Sequence, residues 1–123
     1  MNTVLWMLQV LLALAFGLAG LAKLVRSREA LAPRMGWVMA FPAWAVTAIG
    51  AAEVAGALAL VLPGALGVAT VLVPVAAGCL AVLMLGAVVT HLVRKEPPLA
   101  VPATVLLVLA TVLAATRGTS WPI

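Results

Sequence analysis

Apolar side chains run almost unbroken along this chain, and the few polar positions gather in short clusters between the runs. Four runs emerge, Val4 to Val25, Pro42 to Leu62, Leu66 to Val93 and Leu99 to Thr116. Each is close to the roughly 20 residues that a helix needs to cross a ~30 Å hydrocarbon core. Barrel strands would alternate polar and apolar positions in segments of about 10 residues, whereas these runs are continuous and rich in Ala, Leu, Val and Gly. The pattern predicts an all-α fold, a polytopic membrane protein built as one four-transmembrane-helix bundle over residues 1–123. The third run is long enough to tilt or to lose its first turn to the interface, and Pro74 is expected to kink it.

The connections differ. Those after the second and third runs are short, which makes neighbouring helices antiparallel. Residues 26–41, "RSREALAPRMGWVMAF", are too many for a tight turn and mix basic side chains with Trp37, Val38, Met39 and Phe41. Such a segment is expected to lie in the interface, either as an anchor or as a lid over an inner vestibule with Pro33 and Gly36 as its breaks. The first run is expected to be a retained helix rather than a signal peptide, because no basic residue precedes Val4 and the apolar core continues to Val25.

Composition sharpens the class. Hydrophobic residues make up 67% of the chain and charged ones 8%, far from the values of soluble domains. Lys23, Arg26, Arg28, Arg34, Arg94 and Lys95 fall on one side of a four-span topology and Arg117 on the other, so the positive-inside rule places both termini outside and the basic loops in the cytoplasm. Trp6 and Trp121 then sit at the outer interface, and Trp37 and Trp44 at the inner one. The net charge of +4 is accounted for by anionic lipid head groups, and no nucleic-acid partner is implied. Cys79 is the lone cysteine, so no internal disulfide or CxxC pair is available. No HExxH, ligand cluster or glycine-rich phosphate loop occurs, and no metal site is expected.

The candidate chemistry lies in polar residues within the spans. Glu53 has Ile49, Gly50, Gly56 and Ala57 at helical spacings of three and four, which turns it toward other helices rather than lipid. Gln9, Ala13, Phe16, Gly20 and Lys23 form a polar and small stripe on the first span. Ala13 with Gly17, and Ala52 with Gly56, have the spacing of close helix contacts. His91 sits near the inner end of the third span, above Met84 and Ala87 and beside Thr90. A mid-bilayer carboxylate costs about 2.5–3.5 kcal/mol on insertion scales and so needs an interior partner or a proton. Measured from the expected inner ends, Glu53 is ~15 Å deep and Lys23 and His91 ~3 Å deep, so a direct contact with Lys23 is not assured. Glu53, Lys23 and His91 are expected to line one inward-facing pocket as its candidate catalytic groups. Gln9, Phe16, Thr47, Gly50, Gly56, Gly20, Met84 and Trp37 are candidate ligand contacts. Gln9, Thr104 and Thr111 also suit helix-to-helix hydrogen bonds, and Arg117 reads as an outer anchor.

The ordered segments "AFGLAGLAKL", "RMGWVMAFP", "AIGAAEVAGALALVLPGALG" and "LVPVAAGCLAVLMLGAVVTHLVRKE", with Lys23, Glu53, Pro63, His91 and Arg117, resemble the DoxX-like family of small bacterial four-helix membrane proteins. The chain departs from that pattern at Met39 and Ala40, where acidic residues often follow the tryptophan, and at Ala103, where Asn is common. The resemblance implies a bacterial plasma-membrane protein and, through relatives that serve quinone-linked oxidoreductase complexes, a quinone as candidate ligand or cofactor. Lys23, Glu53 and His91 match it residue by residue. Three function classes follow. One is a subunit that binds a lipophilic small molecule around Glu53. Another is a cofactor-free membrane enzyme, an isomerase, epoxide-opening hydrolase or cyclase, with Glu53 as general acid or base. The last is an accessory or assembly subunit with a protein partner or a second copy of itself.

Overall fold

With no water to satisfy backbone N–H and C=O groups inside a bilayer, a continuous apolar run is stable only if it bonds within itself, as a helix does. The computed structural model describes residues 2–33 and 41–120. It has long helices α1 (Asn2–Val25), α3 (Ala43–Leu66), α4 (Leu72–Val93) and α5 (Pro97–Ala115), with a short α2 (Arg28–Leu31) after the first and a π-helical turn (Thr116–Ser120) extending the last. Among the described residues, four helices are long and apolar enough to cross a membrane. Of residues 26–41, α2 and its flanks are described, and residues 34–40, including Trp37 and Arg34, lie outside the described residues. So does Trp121.

The bundle turns many large apolar side chains outward as well as inward. On α1, Val4, Met7, Leu11, Leu14, Leu18 and Leu21 are exposed. The buried face of the same helix is Leu5, Gln9, Leu12, Phe16, Gly20 and Lys23, at steps of three and four. Lipid rewards the outer set, while the polar Gln9 and Lys23 and the small Gly20 turn inward beside Leu5, Leu12 and Phe16 and meet partners there. The core is Leu5, Leu12 and Phe16 of α1, Ala57 and Leu60 of α3, Ala77, Leu80 and Met84 of α4, and Ala110 and Leu113 of α5.

Helix contacts are uneven, and this shapes the site. α1 packs closely on α3 and α4 on α5; the two pairs meet mainly through α3 and α4, while α1 and α5 touch sparingly. The α1–α3 crossing is tight because glycine faces glycine. A Cβ on Gly20 would lie 2.6 Å from the Gly50 carbonyl oxygen, and one on Gly50 would lie 2.8 Å from that of Gly20. Gly17 makes only ordinary contact, 3.6 Å from the Ala57 Cβ. At this crossing the decisive pair is thus Gly20 with Gly50, while Gly56 marks a close contact of α3 with α4, where an added Cβ would lie 2.8 Å from the Leu80 Cδ2.

Proline positions differ from expectation. Pro63 does not end the second span: α3 runs through it to Leu66, and Gly67, with φ +66°, caps the helix by donating its N–H to the Pro63 carbonyl. Pro74 lies in the first turn of α4, where a helix has no acceptor for its N–H, so it begins the helix instead of kinking it. Pro97 and Pro98 likewise open α5, and Pro102 lies inside it.

Candidate functional site

At the end of the bundle where α1 runs into α2, Lys23 Nζ donates to Glu53 Oε1 at 2.6 Å. The two side chains are 7% and 3% exposed. This ion pair bridges the closest helix crossing. Lys23 lies three residues past Gly20 and Glu53 three past Gly50, so on antiparallel helices they are offset by about 9 Å along the axis. The offset closes because helical side chains lean toward their own N-terminus, which sends Lys23 deeper along α1 and Glu53 back along α3. Depth counted from helix ends alone omits this lean.

Beside the pair is a cavity of about 410 Å³ lined by residues of α1, α3, α4 and α5. It occupies the loose seam between the two helix pairs. Lys23, Glu53, Thr90 and His91 form its polar part, and Ala19, Phe41, Ile49, Leu83, Met84, Gly86, Ala87, Pro102, Ala103 and Leu106 its apolar walls. Ala103 is small and nearly buried, which leaves room there. Thr90 donates its hydroxyl to the Gly86 carbonyl of its own helix at 2.8 Å.

His91 is set in the last turn of α4 and its side chain is 12% exposed. Its carbonyl accepts the Glu96 N–H at 2.8 Å, which folds the α4–α5 connection back under the ring. Its Nδ1 is buried without a hydrogen-bond partner among the described residues, 3.6 Å from Glu96 Oε1. The hydrogen bond from Arg94 Nε to Glu96 Oε1, 2.9 Å, holds the Glu96 carboxyl below the usual carboxylate range.

The opposite end of the bundle carries a polar cluster that spacing alone did not show. Arg117 is 2% exposed, not an interfacial anchor. Its Nε donates to Gln9 Oε1 and its Nη1 to Asn2 Oδ1, both at 2.7 Å. Gln9 Nε2 in turn donates to the Leu60 carbonyl at 2.7 Å, so the cluster ties α5 to α1 and α3. Trp6 stacks near the guanidinium, 5.9 Å from ring centroid to Cζ. The π turn carries Arg117, and turns of that kind shift the side chains they hold relative to a regular helix. The sequence signals were Asn2, Trp6 and Gln9 at steps of four and three, all at the end of α1 nearest Arg117.

The structure therefore brings Lys23, Glu53, Met84 and His91 to one cavity. The other expected contacts lie elsewhere. Gln9 belongs to the Arg117 cluster, Phe16 is 1% exposed in the core, and Gly20 and Gly50 form the crossing. Gly56 faces Leu80 and Thr47 is exposed. Trp37 is outside the described residues. Thr104 and Thr111 donate to Ala100 and Leu107 of their own helix, not across helices, because a hydroxyl one turn from a carbonyl finds it first. No group of metal-ligating side chains occurs among the described residues.

No curated protein and no solved structure gave a significant match to this chain. The family model described as the DoxX-like family matches residues 7–114, which takes in α3 and α4 whole, most of α1 and α5, the Lys23–Glu53 pair and His91. With four membrane-crossing helices and a match over that range, the chain is an integral membrane protein that belongs to the DoxX-like family.

Proposed function

We propose that this protein binds a lipophilic small molecule in the cavity beside the Lys23–Glu53 pair, with a quinone-type head group as the leading candidate and service to a membrane oxidoreductase as its context. The observation that carries the reading is the cavity itself, an apolar chamber of about 410 Å³ with a buried ion pair and an imidazole in its lining. Small-molecule sites have this make-up, about 300–1,000 Å³ of mostly apolar wall with a few placed polar groups. The residues fit such a head group: Lys23, Glu53, Thr90 and His91 put polar side chains in the lining, and Leu83, Met84 and Leu106 supply apolar surface for a ring. A quinone held there would supply the redox chemistry. The protein's share is to orient the ring and exclude lipid.

The ion pair counts against Glu53 as a general acid, since a carboxylate bonded to an ammonium has no proton to give, and leaves it able to serve as a base. The basic residues of the two connections, taken with the positive-inside rule, support a reading in which this end of the bundle faces the cytoplasm of a bacterium.

The test is a titration of purified protein in nanodiscs with a short-chain benzoquinone, followed by protein fluorescence. Saturable binding is expected, weakened at least tenfold by Ala103→Phe, which fills the cavity while helix content by circular dichroism is retained. Absence of saturable binding, or equal affinity in the filled variant, contradicts the reading.

A further inference from the structure

A lipophilic head group held in the cavity carries a chain that has to leave the bundle, and the seam between α3 and α4 offers a way out. We infer that the groove in this seam is the tail subsite of the cavity, taking an alkyl or isoprenoid chain, with Leu83 at the junction. This rests on the cavity being a ligand site and names a second part of that site.

The groove is a hollow of about 200 Å³ lined by Ala52 and Gly56 of α3 and by Cys79, Leu80, Val82 and Leu83 of α4. Leu83 also lines the cavity, so the two spaces meet at one side chain. The floor is Leu80, 2% exposed, which closes against Gly56. Ala52 and Cys79 are exposed, so the groove opens toward lipid. Its walls suit a hydrocarbon chain and offer no charged group to anything else.

Direction supports the assignment. On α3, Ala52 and Gly56 lie three positions beyond the cavity residues Ile49 and Glu53, and on α4, Cys79 and Leu80 lie four positions before Leu83 and Met84. Both shifts lead about 4.5–6 Å farther from the His91 end. A head group beside the Lys23–Glu53 pair thus sends its chain toward the middle of the bilayer, as the surrounding lipids do. The other sides are less open in this direction. The Gly20–Gly50 crossing closes α1 on α3, α4 and α5 pack closely, and the α1–α5 side leads to the buried Phe16 and Leu12. A chain in the groove leaves one apolar medium for another, so what it gains is packing against fixed walls.

The experiment takes ethyltrimethyl-p-benzoquinone as the short-chain benzoquinone, because its filled ring positions do not add the Cys79 thiol, and compares it with decyltrimethyl-p-benzoquinone. Both are dosed as mole fractions of lipid in nanodiscs, so that partition into the bilayer cancels. The decyl compound is expected to bind the wild type at least threefold more tightly. Ala52→Phe and Cys79→Phe, which fill the groove from α3 and from α4, are each expected to bring that ratio to about one. In both variants helix content is retained and the ethyl compound's affinity changes less than twofold. Equal affinities in the wild type mean that the groove holds only bilayer lipid and overturn the inference, as does a ratio that survives in either folded variant, while the cavity stays a ligand site. If neither quinone binds, the binding reading falls and takes this inference with it.

Discussion

At the residue scale the chain concentrates its cost in a few side chains. Glu53 and Lys23 are both nearly buried, and each makes the other tolerable. Removing one partner of such a pair typically costs about 3–5 kcal/mol, because the survivor is a buried, uncompensated charge. Glu53→Gln is therefore expected to lower the unfolding midpoint in detergent markedly. Lys23→Met/Glu53→Leu is expected to restore most of that loss yet to bind the benzoquinone poorly. A double variant as unstable as the single one would show that the pair itself, not the stranded charge, carries the stability. Glu96 titrates outside the spans. Its carboxyl is held below its ordinary range chiefly by the Arg94 hydrogen bond, so the contribution is fully present above the unfolded-state value and is lost as pH falls through the lower folded one. Glu96→Gln should flatten the acid limb of a stability profile and leave the neutral region alone.

At the element scale, glycine placement decides how helices meet. Gly20 and Gly50 let α1 and α3 approach until Lys23 and Glu53 can join. Gly20→Ala is expected to cost about 1–3 kcal/mol in thermal unfolding by forcing the helices apart. Gly78, with nothing within 4 Å of its added Cβ, should accept Ala with no loss or a small gain, since Ala is the better helix former. Much of this element-level picture was legible in the sequence. Continuous apolar runs identify the helices, and the spacing around Glu53 turns it inward. The contact with Lys23 was not legible from depth, because that depends on where two helices cross and which way their side chains lean. Arg117 was hidden for a related reason: a cation near a chain's end reads as an anchor until the fold brings Asn2 and Gln9 to it. The turn ends were also misjudged at Pro63, since a proline deep in an apolar run reads as a stop while the helix passes through it to the glycine cap.

At the scale of the whole molecule, two tight helix pairs meet along a weaker seam, closed at one end by the Arg117 cluster and opened at the other by the cavity. Arg117→Met should therefore loosen the α1–α5 contact, costing about 1–3 kcal/mol for the stranded polar partners, while the benzoquinone affinity changes less than twofold. A large affinity loss there would mean the two ends are coupled. Orientation is tested by reporter fusions at the C-terminus: a reporter active only outside the cytoplasm should be active, and one that folds only inside should be dark.

The most direct test of the central claim is photolabelling. A benzoquinone probe bearing a diazirine, irradiated with the protein in nanodiscs and mapped by peptide mass spectrometry, should mark the cavity walls at Leu83, Met84, Ala87 and Leu106, and excess unlabelled benzoquinone should suppress the marks. Labelling confined to outward-facing positions such as Val82 and Leu85, unaffected by competitor, would place the probe in the surrounding lipid and contradict the account.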